Sequence, residues 1–171
     1  IKRLVYTTLK HRFMPHNVAA CKFKLPERLC DIRKSDNACE LDFVCRACDV
    51  EQSNFFSGFF DDRSSIQGQL ANIINDRSFI KGTYDVLFRV RDDKGWVVYL
   101  IDWKSDTLEA YDEATMREHI KHHYAIQVAF YSHAVKNDLL RLNRHWSDEN
   151  ARYIYGGMIY LFLRGINPDD D

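Results

Sequence analysis

Residues 81–90 and 95–104 are two runs rich in β-branched and aromatic side chains, separated by Asp92-Asp93-Lys94-Gly95, a turn of the residue types that reverse a chain. The pattern predicts a β-hairpin, and a hairpin dictates which side chains face each other. On its second strand Asp102 and Lys104, at i and i+2, share a face and lie roughly 6 to 7 Å apart along the backbone, while Trp103 points to the other face. On its first strand Asp85 lies on the side of Leu87 and Arg89, and pairing is expected to bring its carboxylate beside Asp102. Two like charges opposed on adjacent strands repel unless a cation sits between them. The hairpin therefore predicts a metal.

Carboxylate oxygens suit Mg²⁺, with Mn²⁺ as a substitute, because the ion keeps several waters and takes only one or two protein carboxylates beside a substrate phosphate. Asp85 and Asp102 are the expected ligands, with the main-chain carbonyl of Trp103 completing the set. Such an ion polarises a phosphate and lowers the pKa of its water, and Lys104 is placed to steady the developing negative charge. Glu40, on the polar face of an earlier strand, is a weaker candidate for a third carboxylate. An Asp-x-Lys at a strand end is most often a solvated pair. Here it ends a run, Val97 to Ile101, that reads as buried, and a second acid arrives from the partner strand.

The rest of the chain supplies the surroundings. Its 171 residues, 46% hydrophobic, suffice for one domain, expected to span 1–171 with its core in 38–165. A formal charge of −1 provides no global basic field for nucleic acid, so any DNA contact must be local. Residues 1–13 are expected to form a helical tail and 17–36 to be irregular. Ala38 to Ala47 alternates, with Cys39, Leu41, Phe43 and Cys45 on one face and Glu40, Asp42 and Val44 on the other, predicting a half-buried strand. Ser64 and Ser65 are candidate caps for a helix through Ile73. Asp112 is expected to cap a helical region reaching about Leu142, with a break near His122 to Tyr124 and a stripe of Met116, Ile120, Tyr124, Gln127 and Tyr131. Gly156 to Leu163 has strand character. The string predicts an α/β fold, a mixed central sheet flanked by helices.

Five cysteines without a secretion signal argue for thiols rather than a disulfide framework, and Cys45-x-x-Cys48 has no second pair to make a metal knuckle. His119 and His123 lie one helical turn apart, but Ile120 follows where a zinc-protease helix needs Glu, so the histidines are expected on a polar face, meeting DNA. The chain starts at Ile1, shows no signal peptide, and reads as a piece of a larger cytoplasmic protein.

Four ordered motifs resemble those of the PD-(D/E)XK nuclease superfamily, and within it the RecB-type nuclease domain at the C-terminal end of exonuclease V beta subunits. Lys81-Gly82-Thr83-Tyr84-Asp85 is similar to a Gly-x-x-Asp motif, and Leu100-Ile101-Asp102-Trp103-Lys104-Ser105 to an Asp-Tyr-Lys-Ser motif. Gln127-Val128-Ala129-Phe130-Tyr131 resembles a Gln-x-x-x-Tyr helix, and the segment from Gly156 to Gly165 a strand ending in Leu-Arg-Gly. The resemblance implies a restriction-endonuclease-like core and a Mg²⁺-dependent deoxyribonuclease acting on single-stranded or unwound double-stranded DNA in double-strand break repair and recombination. It implies as partners a helicase domain of the same polypeptide, the other exonuclease V subunits and a recombinase, in the cytoplasm of a bacterium. Gln127 and Tyr131, at i and i+4, emerge from one helical face, to reach DNA phosphate or brace Lys104, with packing of Tyr131 in the core as the plainer reading. Arg164 is a candidate phosphate contact. The family also carries a metal-binding His in a Gly-rich setting upstream of the first strand; His11 lacks those neighbours, so the motif is expected to lie in preceding sequence and the piece to hold its metal weakly. A catalytically silent module that binds DNA or a recombinase is the alternative.

Overall fold

A computed structural model of the chain describes residues 8–10, 23, 25–47, 79–145 and 152–166. The expected helix after Ser64 and Ser65, His11, and Cys48 of the Cys-x-x-Cys pair lie outside them. Four strands form one sheet in the order β1 (Asn37–Arg46), β2 (Phe79–Asp92), β3 (Gly95–Lys104) and β4 (Tyr153–Phe162). The first three are antiparallel neighbours and β4 runs parallel to β3, which makes the sheet mixed. A parallel return needs a long crossover. Helices α1 (Glu113–His123) and α2 (Ala125–His145) supply it, so the chain is an α/β protein with helices flanking the sheet. Among the described residues no helix is long and apolar enough to cross a membrane. Cys45 is buried, Cys30 and Cys39 are exposed, and no disulfide joins these three.

The hairpin closes where Asp92 pairs with Gly95, and the Asp92 carboxylate accepts the Lys94 N–H at 3.2 Å. The side chain of Asp112 caps α1 by accepting the Thr115 N–H at 3.0 Å. The two helices divide at Tyr124, which leaves helical geometry at φ −123° and ψ 5°; its N–H still reaches Ile120 O, and its carbonyl accepts the first bond of α2, from Val128.

β3 is central, and its side chains divide between two cores. Val98 and Leu100 pack with Ala125, Ala129, Phe130, Ala134, Val135 and Leu139 under α2. Val97, Tyr99, Ile101 and Trp103 face the opposite side, where Phe88, Leu29 and Leu25 cover them. This alternation places Asp102 and Lys104 on the α2 face.

The two edge strands, β4 and β1, each break the expected phase. On β4, Tyr153, Tyr155 and Met158 pack into the α2 core while Ile159 and Leu161 pack into the other. The cause is a bulge: Val98 pairs with Tyr155 but Tyr99 pairs with Gly157, leaving Gly156 over. Gly157 stands at φ +138° with nothing within 4 Å of the position a Cβ would take. Without the extra residue Ile159 would stand opposite Asp102; with it, Tyr160 does. On β1 the expected alternation holds only in its second half. Phe43 and Cys45 are buried, but Leu41 is 43% exposed and Cys39 is exposed. Glu40 has φ +54°, a left-handed twist that ends the regular alternation before those residues reach the core.

Gly157→Ala tests the bulge. With open space around the site, any loss comes from backbone conformation rather than collision, and urea denaturation is expected to show about 1–3 kcal/mol of destabilisation.

Candidate functional site

The β2–β3 ladder runs from Asp92 and Gly95 to Val86 and Ile101 and stops one step before Asp85 and Asp102 would oppose each other. The reason is electrostatic, since facing carboxylates repel. In place of a main-chain acceptor, the Trp103 N–H donates to Asp85 Oδ2 at 2.8 Å. Asp85 thereby lies against the 102–103 peptide, held by a side-chain bond rather than by the hairpin pairing with Asp102 that the sequence reading expected. The β1–β2 ladder skips the same level: Cys39 pairs with Val86 and Leu41 with Tyr84, leaving Glu40 and Asp85 between. Three acids thus stand in one row across three strands.

They do not converge equally. Glu40 is exposed, and among the described residues no three His, Cys, Asp or Glu side chains gather closely enough to hold a metal ion. Two carboxylates, Asp85 and Asp102, are what the site offers.

Asp102 and Lys104 are buried, their side chains 5% and 9% exposed, and they form an ion pair through Asp102 Oδ1. Burial of unpaired charges is costly, so the remaining valences need partners. Gln127 of α2 provides them from both ends of its amide. Its Nε2 donates to Asp102 Oδ2 at 2.6 Å, and its Oε1 accepts from Lys104 Nζ at 2.9 Å and from the Tyr160 hydroxyl at 3.2 Å. The Lys104 ammonium also lies over the Tyr124 ring, 3.8 Å from its centroid, and 5.0 Å from that of Tyr160. Burial, aided by the charge of Asp85, raises the Asp102 pKa, with Lys104 and Gln127 pulling the other way. Burial and the nearby Asp102 also raise the Tyr160 hydroxyl.

The other expected residues divide. Gln127 braces Lys104, whereas Tyr131, one helical turn on, meets Phe43 and Tyr84 edge-on at 4.8 and 5.9 Å. Tyr131 therefore packs in the core, the plainer of its two readings. Its ring also accounts for Gly82, where a Cβ would lie 2.5 Å from Phe43 and 3.2 Å from Tyr131. Arg164 follows β4 in a 3-10 turn and donates from Nε to the Ser105 carbonyl at 2.8 Å, tying that turn to the segment after Lys104. His119 stays half-exposed and takes a polar partner, its Nε2 3.1 Å from Asp106 Oδ1, while its ring packs edge-on against Phe162. The apolar company of Phe162 and the carboxylate of Asp106 hold it there. His122 remains outside, paired with Glu118 on its own helix.

Sequence reasoning missed Asp106, Tyr124 and Tyr160 as parts of the site. Tyr124 had a signal, because it stands three residues before Gln127 in the same helical stripe. Its hydroxyl donates to Asp106 Oδ1 at 2.8 Å, and burial together with that bond pushes its pKa up to about 12. Tyr160 had none, since its place depends on the β4 bulge.

Fold and site together define a mixed α/β sheet that ends in a buried Asp-Lys pair beside a second carboxylate. The chain is similar to RecBCD enzyme subunit RecB of Escherichia coli (strain K12), 32% identical over 95 residues, which is 54% of this chain and 8% of that protein. It is also similar to RecBCD enzyme subunit RecB of Haemophilus influenzae, 32% identical over 98 residues with the same shares. About half of the chain is thus RecB-like, and the chain spans only a small part of those relatives. No protein-family model matches it.

Asp106 is the site's most readily tested carboxylate. Burial works against its charge, but the bonds from Tyr124 and His119 outweigh it and hold the pKa below the ordinary value. A depressed native pKa stabilises the fold above the unfolded value of about 3.9 and loses that contribution as pH falls through the native one. Asp106→Asn is therefore expected to melt about 2–4 °C below wild type near neutral pH. The gap should close as the pH is taken below about 3.9 in a calorimetric series. Asp102 is common to both proteins and cancels.

Proposed function

We propose that this chain is a metal-dependent nuclease module of the PD-(D/E)XK type, hydrolysing phosphodiester bonds of single-stranded DNA within a helicase-nuclease of break repair and recombination. The observation that carries the reading is the meeting of Asp85 and Asp102 at the open end of the β2–β3 ladder, with Lys104 paired to Asp102. Its RecB-like half supports it.

The donor set fits Mg²⁺ or Mn²⁺: two carboxylates, Asp85 and Asp102, and the Trp103 carbonyl, while Glu40 is exposed and stands apart from them. When bound, the ion supplies Lewis acidity to the scissile phosphate and acidifies a water. The chain's own residues do the rest. Asp85 is oriented by the Trp103 N–H, and Asp102 is held by Gln127. The Lys104 ammonium turns toward the phosphate oxygens as charge grows on them. On this reading Arg164 steadies the backbone after Lys104, and Gln127 sets the Asp-Lys pair. The partners are a helicase domain, the other exonuclease V subunits and a recombinase, in the bacterial cytoplasm.

A second reading, a silent module that binds DNA or a recombinase, is favoured by one observation: both Asp102 oxygens are already taken by protein donors, Lys104 and Gln127.

A single-stranded DNA cleavage assay with titrated Mg²⁺ separates the two. Wild type is expected to cut and to stop on chelation, while Asp85→Ala, Asp102→Ala and Lys104→Ala each lower kcat on the order of 100-fold or more. Cleavage that survives Lys104→Ala sinks the mechanism. DNA binding without cleavage by wild type supports the second reading.

A further inference from the structure

Lys104 is held on three sides. Its ammonium donates to Asp102 and, at 2.9 Å, to Gln127, and a third side meets the face of Tyr124 at 3.8 Å. These supports differ in kind. A carboxylate or amide oxygen engages one proton in one direction. A ring face attracts the ammonium through its quadrupole and engages no single proton, so the group can turn over the ring without losing the contact.

The ring itself is fixed. Its hydroxyl donates to Asp106 Oδ1 at 2.8 Å, and the same oxygen lies 3.1 Å from His119 Nε2. One face stacks with Tyr160, with centroids 5.5 Å apart and planes at 27°, and the His119 ring approaches at 5.8 Å. The backbone of Tyr124 is pinned from both sides, its N–H on Ile120 and its carbonyl under Val128. A residue that merely joined two helices would need none of the side-chain bonds.

Resting on the nuclease reading above, we infer that Tyr124 is a positioning residue. Its ring keeps the Lys104 ammonium beside Asp102 while the ammonium protons turn from Gln127 to the substrate phosphate, and Asp106 with His119 holds the ring in place. Tyr160 walls the far side.

The test compares Tyr124→Leu, Tyr124→Phe and Asp106→Ala in steady-state cleavage of single-stranded DNA with Mg²⁺, each variant checked for folding by circular dichroism. Loss of the ring in Tyr124→Leu is expected to lower kcat roughly 2- to 30-fold, with KM nearly unchanged. Tyr124→Phe keeps the ring and is expected to recover most of the rate; Asp106→Ala loosens the ring and gives a smaller drop. Wild-type kcat in Tyr124→Leu, or a Phe variant as slow as Leu, overturns the assignment. Wild-type kcat in Asp106→Ala removes Asp106 from it, and Tyr124→Met, which fills the space without a ring, takes the place of Tyr124→Leu if that variant does not fold. Should the wild-type chain fail to cut, the nuclease reading falls by itself. The ammonium resonance of Lys104 in ¹⁵N-labelled protein then decides the positioning role. A signal kept in wild type and Tyr124→Phe but broadened away in Tyr124→Leu supports it, and equal signals in all three overturn it.

Discussion

Two carboxylates cannot face each other across paired strands without an answer to their repulsion, and the centre of this protein is organised around that constraint. The hairpin ladder ends at Val86 and Ile101, and the next main-chain donor, the Trp103 N–H, turns to the Asp85 side chain. Asp102, one residue before it, is answered by Lys104 and Gln127. Neighbouring strands adjust at the same level: Glu40 twists into the left-handed region, and the β1–β2 ladder skips it. A polar cluster thereby stands at the end of the sheet, beyond the apolar residues of β3 that pack under α2.

A buried polar network is stabilising only when its members are satisfied. Gln127 makes this possible because a single amide both donates and accepts, linking the acid, the amine and the Tyr160 hydroxyl. The aromatic rings of Tyr124 and Tyr160 attract the ammonium without engaging its protons. The result is a buried acid-base pair beside a carboxylate less buried than itself. That is the arrangement on which the proposed metal-dependent reading rests.

Much of this was legible along the chain wherever the cause is local. The hairpin turn, the Asp112 cap and the helix break at Tyr124 depend on residues within a few positions of one another, and each stands where spacing and residue type put it. Alternation failed on the first half of β1 because Glu40 takes a backbone angle that its own residue type does not announce. Gln127 and Tyr131 share a helical face, yet one reaches the Asp-Lys pair while the other enters the aromatic core beside Phe43. Helical spacing sets direction, not depth: one turn along α2 moves a side chain from the polar sheet end to the apolar middle. His119 likewise belongs to a polar helix face, yet only the fold brings Asp106 and Phe162 beside it.

By itself the sequence determined a mixed α/β fold, a hairpin, and an Asp-Lys pair confronted by a second acid, because periods of two and of 3.6 residues act over short range. Tertiary structure decided what resolves that confrontation. Gln127 lies 23 residues from Lys104 and 33 from Tyr160, and the three meet only because β4 returns parallel to β3. Whether Tyr160 or Ile159 then faces Asp102 rests on one extra residue at Gly156. Such a choice belongs to strand register, which depends on the pairing of distant segments and leaves no periodic trace in either one.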